Sequence, residues 1–77
     1  MPAAYVLVQA EPGAVPDVLA AMQTLPEVAF VEAVTGPYDA VVAVAGGQDA
    51  DPVRQRLQET PGVARTLTCP SASVAAA

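Results

Sequence analysis

The sequence predicts an α+β fold in which two helices cover one face of a four-stranded antiparallel sheet, and three observations predict it. Valine-rich apolar stretches and segments of helical period follow one another in the order strand, helix, strand, strand, helix, strand. Turn-forming clusters such as Pro12-Gly13, Gly36-Pro37, Gly46-Gly47 and Pro61-Gly62 punctuate that order. Charge then sorts the strands, because the first and third carry none while the second and fourth carry Glu32 and Arg65. Uncharged strands belong at the centre of a sheet and charged ones at its edges.

The first strand, Ala3 to Ala10, is apolar on both faces through Tyr5, Val6, Leu7 and Val8, and Glu11-Pro12-Gly13 ends it. The first helix, Ala14 to Thr24, places Val15, Val18, Leu19 and Met22 at i, i+3, i+4 and i+7, one apolar stripe. Pro16 is tolerated in its first turn and Asp17 suits the positive end of the dipole. Leu25-Pro26 stops it, since a residue before proline is pushed out of the helical region.

The second strand, Val28 to Thr35, is expected to put Val28, Phe30, Glu32 and Val34 on one face and Ala29, Val31, Ala33 and Thr35 on the other. The turn Thr35-Gly36-Pro37-Tyr38-Asp39 leads into the third strand, Ala40 to Ala45, which has no polar side chain. Asp51-Pro52 reads as an N-cap followed by proline at the first helical position, opening a helix to about Glu59. Its Val53 and Leu57 face inward, and Arg54, Gln55, Gln58 and Glu59 face outward. Asp49 and Asp51 also have the spacing of a metal pair, but with no further ligand nearby capping is the simpler role. Pro61-Gly62 precedes the fourth strand, Val63 to Cys69, and a small-residue tail runs from 71 to 77.

Right-handed crossovers favour the spatial order four, one, three, two, the ferredoxin-like βαββαβ arrangement, with both helices on one face. The other face is bare. A chain of 77 residues forms one domain and buries only about 60% of its unfolded surface. Yet 53% of it is hydrophobic, with 14% charged and a mean hydropathy of +0.41. Such a chain is expected to share its bare face with a second copy, giving a homodimer of back-to-back sheets, a dimeric α+β barrel.

Several function classes are excluded by what the sequence lacks. Net charge is −5, pI is about 4.1 and the only cations are Arg54, Arg56 and Arg65, too few to grip a phosphate backbone, so no direct nucleic-acid binding is expected. No apolar run approaches the roughly 20 residues that span a bilayer, and the N-terminus has no basic targeting region, so neither membrane nor export is expected. Cys69 stands alone, which suits a reducing cytoplasm and a small packed hydrophobe. There is no histidine to activate a nucleophile and no phosphate loop, so no cofactor, metal or catalytic residue is predicted.

The strand-helix-strand pattern, the turn Gly36-Pro37-Tyr38-Asp39 followed by Ala40-Val41-Val42-Ala43-Val44, and Pro61-Gly62-Val63 with Thr66 and Thr68 resemble the ligand-binding domain of Lrp/AsnC transcription regulators. That module is also called the regulation-of-amino-acid-metabolism domain, and the resemblance covers Ala3 to about Val74. It implies dimerisation through the sheets, further assembly into octamers or rings, and an amino acid held between dimers near the turn. Full-length regulators carry an N-terminal helix-turn-helix, whereas here the first strand begins within a few residues of Met1. The resemblance is therefore to the stand-alone form, a non-catalytic effector module that regulates transcription through association with a full-length, DNA-binding relative.

The expected ligand-binding residues are Thr35, Gly36, Pro37, Tyr38, Asp39, Thr66 and Thr68. The Thr35 hydroxyl and backbone N–H groups around Gly36 and Tyr38 suit a carboxylate, and the Asp39 carboxylate suits an ammonium. The plainer reading gives Gly36-Pro37 the turn, Tyr38 an interface, Asp39 the turn backbone, and leaves the threonines as ordinary strand residues. Two further classes share this architecture: a purely structural assembly module, and a small dimeric α+β-barrel enzyme of the monooxygenase or isomerase type. The interior of Ala, Val, Leu and Met gives the enzyme little support.

Overall fold

The structure, a computed structural model, describes residues 2–71. Its elements are β1 (Ala4–Ala10), α1 (Val15–Met22), β2 (Val28–Ala33), β3 (Ala40–Val44), α2 (Ala50–Glu59) and β4 (Val63–Pro70). The four strands form one sheet in the order β2-β3-β1-β4, with every neighbouring pair antiparallel. This is the expected ferredoxin-like βαββαβ fold, with uncharged β1 and β3 at the centre. The expected extended tail falls on 72–77, outside the described residues, except for Ser71. That residue is held by the two residues preceding β1, its hydroxyl donating to the Pro2 carbonyl at 2.8 Å and its N–H to the Ala3 carbonyl at 3.2 Å.

Both helices lie on one face, and the core forms beneath them. Val6, Val8, Val42 and Val44 rise from the central strands to meet Val18 and Met22 of α1 and Val53 and Leu57 of α2. All eight are essentially excluded from solvent. Each large member contributes about 1.5–3 kcal/mol through burial. Of the helical stripes expected from the sequence, Val18, Met22, Val53 and Leu57 supply the core and Leu19 packs at its margin, while Val15 is not part of it.

The strand registers define the opposite face row by row. Phe30, Ala43, Tyr5 and Cys69 align across all four strands, and Glu32, Val41, Leu7 and Leu67 form the next row. Gln9 and Arg65 begin a third. The exposed large hydrophobics among the described residues, Tyr5 at 36%, Phe30 at 48% and Leu67 at 48%, all stand here. Ala43 is fully buried even so, sheltered between its aromatic neighbours Tyr5 and Phe30.

Three local expectations are corrected. In β2 the register shifts between Val28 and Phe30, so Ala29 is a bulge. Val28 therefore pairs with Val44 and shares the helix face with Val31 and Ala33, while Phe30 and Glu32 turn to the open face. The N-cap of α2 is Asp49 rather than Asp51: its carboxylate accepts from the Asp51 N–H at 3.3 Å, placing Asp51 in the first turn. Gln58, expected to face solvent, turns inward to β4. No helix among the described residues is long and apolar enough to cross a membrane.

Candidate functional site

The β2–β3 connection closes where the Val34 N–H donates to the Asp39 carbonyl at 3.0 Å, leaving residues 35–38 as the loop. Gly36 takes φ +115°, a conformation only glycine adopts without strain, and Pro37 fixes the next bond. Thr35, Gly36 and Pro37 are exposed; Tyr38 and Asp39 are half-buried against the end of the sheet.

Asp39 is tied to β1 twice. Its N–H donates to the Val8 carbonyl at 2.9 Å, and its carboxylate Oδ2 accepts from the Ala10 N–H at 2.8 Å. The physical reason is strand length: β3 begins at Ala40, opposite Val8, so the chain turns away before it can offer Ala10 a ladder carbonyl. The carboxylate takes that carbonyl's place. Successive N–H groups of a strand point to opposite sides, and the next one, on Glu11, donates to Gly62 on the β4 side at 2.7 Å.

Tyr38 meets Arg65 across the end of the sheet. The guanidinium lies 5.3 Å from the Tyr38 ring centroid, and its Nη2 is 3.4 Å from the phenolic oxygen. At an exposed site such stacking contributes about 0.5–1 kcal/mol. Arg65 also pairs with Gln9 in the β1–β4 register, so this contact belongs to the open face.

Thr66 and Thr68 pair with Val8 and Val6 and therefore face the helices, on the opposite side of the sheet from Arg65. The Thr66 hydroxyl donates to the Gln58 side-chain carbonyl at 3.1 Å. The Thr68 Oγ1 is buried with no hydrogen-bond partner among the described residues. The structure thus brings together Thr35, Gly36, Pro37, Tyr38 and Asp39 at one end of the sheet. Thr66 reaches the same end only from beneath, and Thr68 lies a row further in.

Arg65 belongs to this site although the sequence marks it only as an edge-strand charge and one of three cations. Its partner Tyr38 is 27 positions away and invisible to local pattern. Among the described residues there is no group of three or more metal-ligating side chains and no pocket.

The Lrp/AsnC ligand binding domain family matches residues 3–74 of the chain. No curated protein matches it. Among solved structures, TTHA0845 from Thermus thermophilus is similar at a TM-score of 0.82 and 35% identity, over 96% of each chain. FFRP-DM1 is similar at a TM-score of 0.79 and 24% identity, over 94% of this chain and all of its own. The hypothetical protein PHS023 from Pyrococcus horikoshii gives 0.77 and 23%, over 97% of this chain and 94% of its own. At those identities the last two speak for the fold alone.

Proposed function

Because the chain belongs to the Lrp/AsnC ligand binding domain family, we propose that it is a non-catalytic effector module of the cytoplasm. In this reading it assembles through its open sheet face, takes a free amino acid at the β2–β3 turn, and acts on transcription through a DNA-binding partner. The observation that carries the reading is the position of the turn: Tyr38 and Asp39 stand at the rim of an uncovered apolar face. A second copy closing over that face shields them from water, and shielding is what a small zwitterion needs to be held by hydrogen bonds. A pair of such dimers meeting at this rim, in an octamer or ring, completes the enclosure that one chain lacks.

Each group has a role. The Thr35 hydroxyl and the N–H of Gly36 donate to the ligand carboxylate, and the Asp39 carboxylate accepts from its ammonium through the oxygen that Ala10 does not use. The role of Thr66 is indirect, since its hydroxyl is engaged by Gln58.

Thermal unfolding in the presence of each amino acid tests this. A specific ligand at a hundredfold excess over its Kd stabilises the assembly by about 2.7 kcal/mol. An unchanged unfolding temperature with all of them identifies a structural assembly module instead.

A further inference from the structure

The β2–β3 turn is met by a cation that no acid of the described residues neutralises. The ion pair formed among those residues joins Arg56 to Glu27, and Arg54 and Arg56 both belong to α2, on the covered side of the sheet. Arg65 alone brings a positive charge to the turn, where its partner is Tyr38. A phenol is neutral, so that contact positions the charge without cancelling it. The Tyr38 oxygen accepts from Arg65 Nη2 at 3.4 Å, which leaves the phenolic O–H and the remaining guanidinium N–H groups to donate elsewhere. With the ring centroid 5.3 Å away, the guanidinium is held in place, and a held side chain loses less freedom when it binds.

The neighbours of this pair are already assigned. Tyr38 directly precedes Asp39, whose carboxylate accepts from Ala10, and Arg65 pairs with Gln9, the residue before Ala10. An anionic and a cationic group thus flank β1 at one end of the sheet, with a single interstrand spacing, about 5 Å, between Gln9 and Arg65. In the reading above, Thr35 and Gly36 take the ligand's α-carboxylate and Asp39 its ammonium. The Tyr38–Arg65 pair then faces whatever the ligand carries beyond its Cα.

We propose that this pair receives a second carboxylate, so that the ligand is an acidic amino acid and Arg65 is the residue that selects it. The inference rests on the amino-acid-binding reading and adds the class of the ligand. A guanidinium meets both oxygens of a carboxylate with its planar fork, and such charge-assisted bonds are about twice as strong as neutral ones. Other ligand side chains fit worse. A basic one meets a like charge, and an apolar or aromatic one finds the Tyr38 ring face occupied by the guanidinium. Each of these also leaves the cation without a counter-charge when the site is closed to water, which is costly.

Calorimetric titration of the full chain at low salt, with glutamate, aspartate and their amides glutamine and asparagine, tests the proposal. Acid and amide differ in one terminal group, so the ratio of their Kd values reads the contact with Arg65. In the wild type the preferred acid is expected to bind roughly tenfold or more tightly than its own amide. Arg65→Gln is expected to bring that ratio to about one through lost affinity for the acid. Arg65→Lys, which keeps the charge but not the fork, retains part of it. A merely structural Arg65 weakens acid and amide alike and leaves the ratio standing. That result, or a wild type that binds an amide as tightly as its acid, overturns the proposal while amino-acid binding stands. If no amino acid binds the wild type, the reading beneath falls and the proposal with it. Should circular dichroism show Arg65→Gln unfolded, Arg65→Lys decides, and a ratio unchanged from wild type overturns the role of Arg65.

Discussion

The Asp39 carboxylate accepts the Ala10 N–H at 2.8 Å and so stands in for the ladder carbonyl that β3 is too short to provide. The turn is thereby fixed to β1 by a side chain rather than by the sheet. Asp39→Ala leaves the Ala10 N–H without its partner and is expected to destabilise the protein by about 1–3 kcal/mol in urea unfolding. Asp39→Asn, which keeps a neutral acceptor, loses less. An alanine variant as stable as wild type removes the anchoring role.

Thr66 and Thr68 point the same way but differ in what they meet. Thr68→Val replaces a buried hydroxyl lacking a partner and is expected to be neutral or to stabilise by up to about 1 kcal/mol. Thr66→Val breaks the bond to Gln58 and costs about 0.5–1.5 kcal/mol. Thermal melts without added ligand compare the two; a clear loss from Thr68→Val indicates that its hydroxyl is satisfied in solution.

Gly62 sits where β4 passes under the start of α1. A Cβ there stands 2.9 Å from Ala14 Cβ and 3.0 Å from Val18 Cγ2, and φ is +92°. Strain and overpacking add, so Gly62→Ala is expected to cost about 2–4 kcal/mol. Gly36→Ala, at φ +115° in open space, has only the strain and costs about 1–2 kcal/mol. Equal losses at the two positions contradict the close approach of α1.

Phe30 and Leu67, each 48% exposed, lie in adjacent rows at opposite edges of the open face. Phe30→Asp or Leu67→Asp leaves the helix-side core untouched and puts an unpaired charge on the proposed interface. Each is expected to keep the far-ultraviolet spectrum while reducing the mass found by light scattering to that of a single chain. A folded variant with the wild-type mass places the interface elsewhere.

Element order and sheet order were legible because they rest on two strong signals. One is the i, i+3, i+4, i+7 stripe of Val15, Val18, Leu19 and Met22; the other is the confinement of strand charges to Glu32 and Arg65. The bulge was not legible, because Val28-Ala29-Phe30-Val31 is apolar at every position and offers no alternation to betray an extra residue. For α2, Asp49 and Asp51 both satisfy the cap pattern, and Pro52 favours the wrong one; Pro sits in the third helical position. At the site, the shared face of Thr66 and Thr68 followed from period two. Which face it was did not, since the neighbouring strand is apolar on both sides. The Tyr38–Arg65 and Asp39–Ala10 contacts join distant positions, and only the assembled sheet brings them together.

The extra residue at Ala29 also bears on colloidal behaviour. It interrupts the outermost strand on one margin, where a straight run of free amide and carbonyl groups would invite further chains to add on edge-first. With that margin kinked, edge-to-edge growth into an endless ribbon is disfavoured.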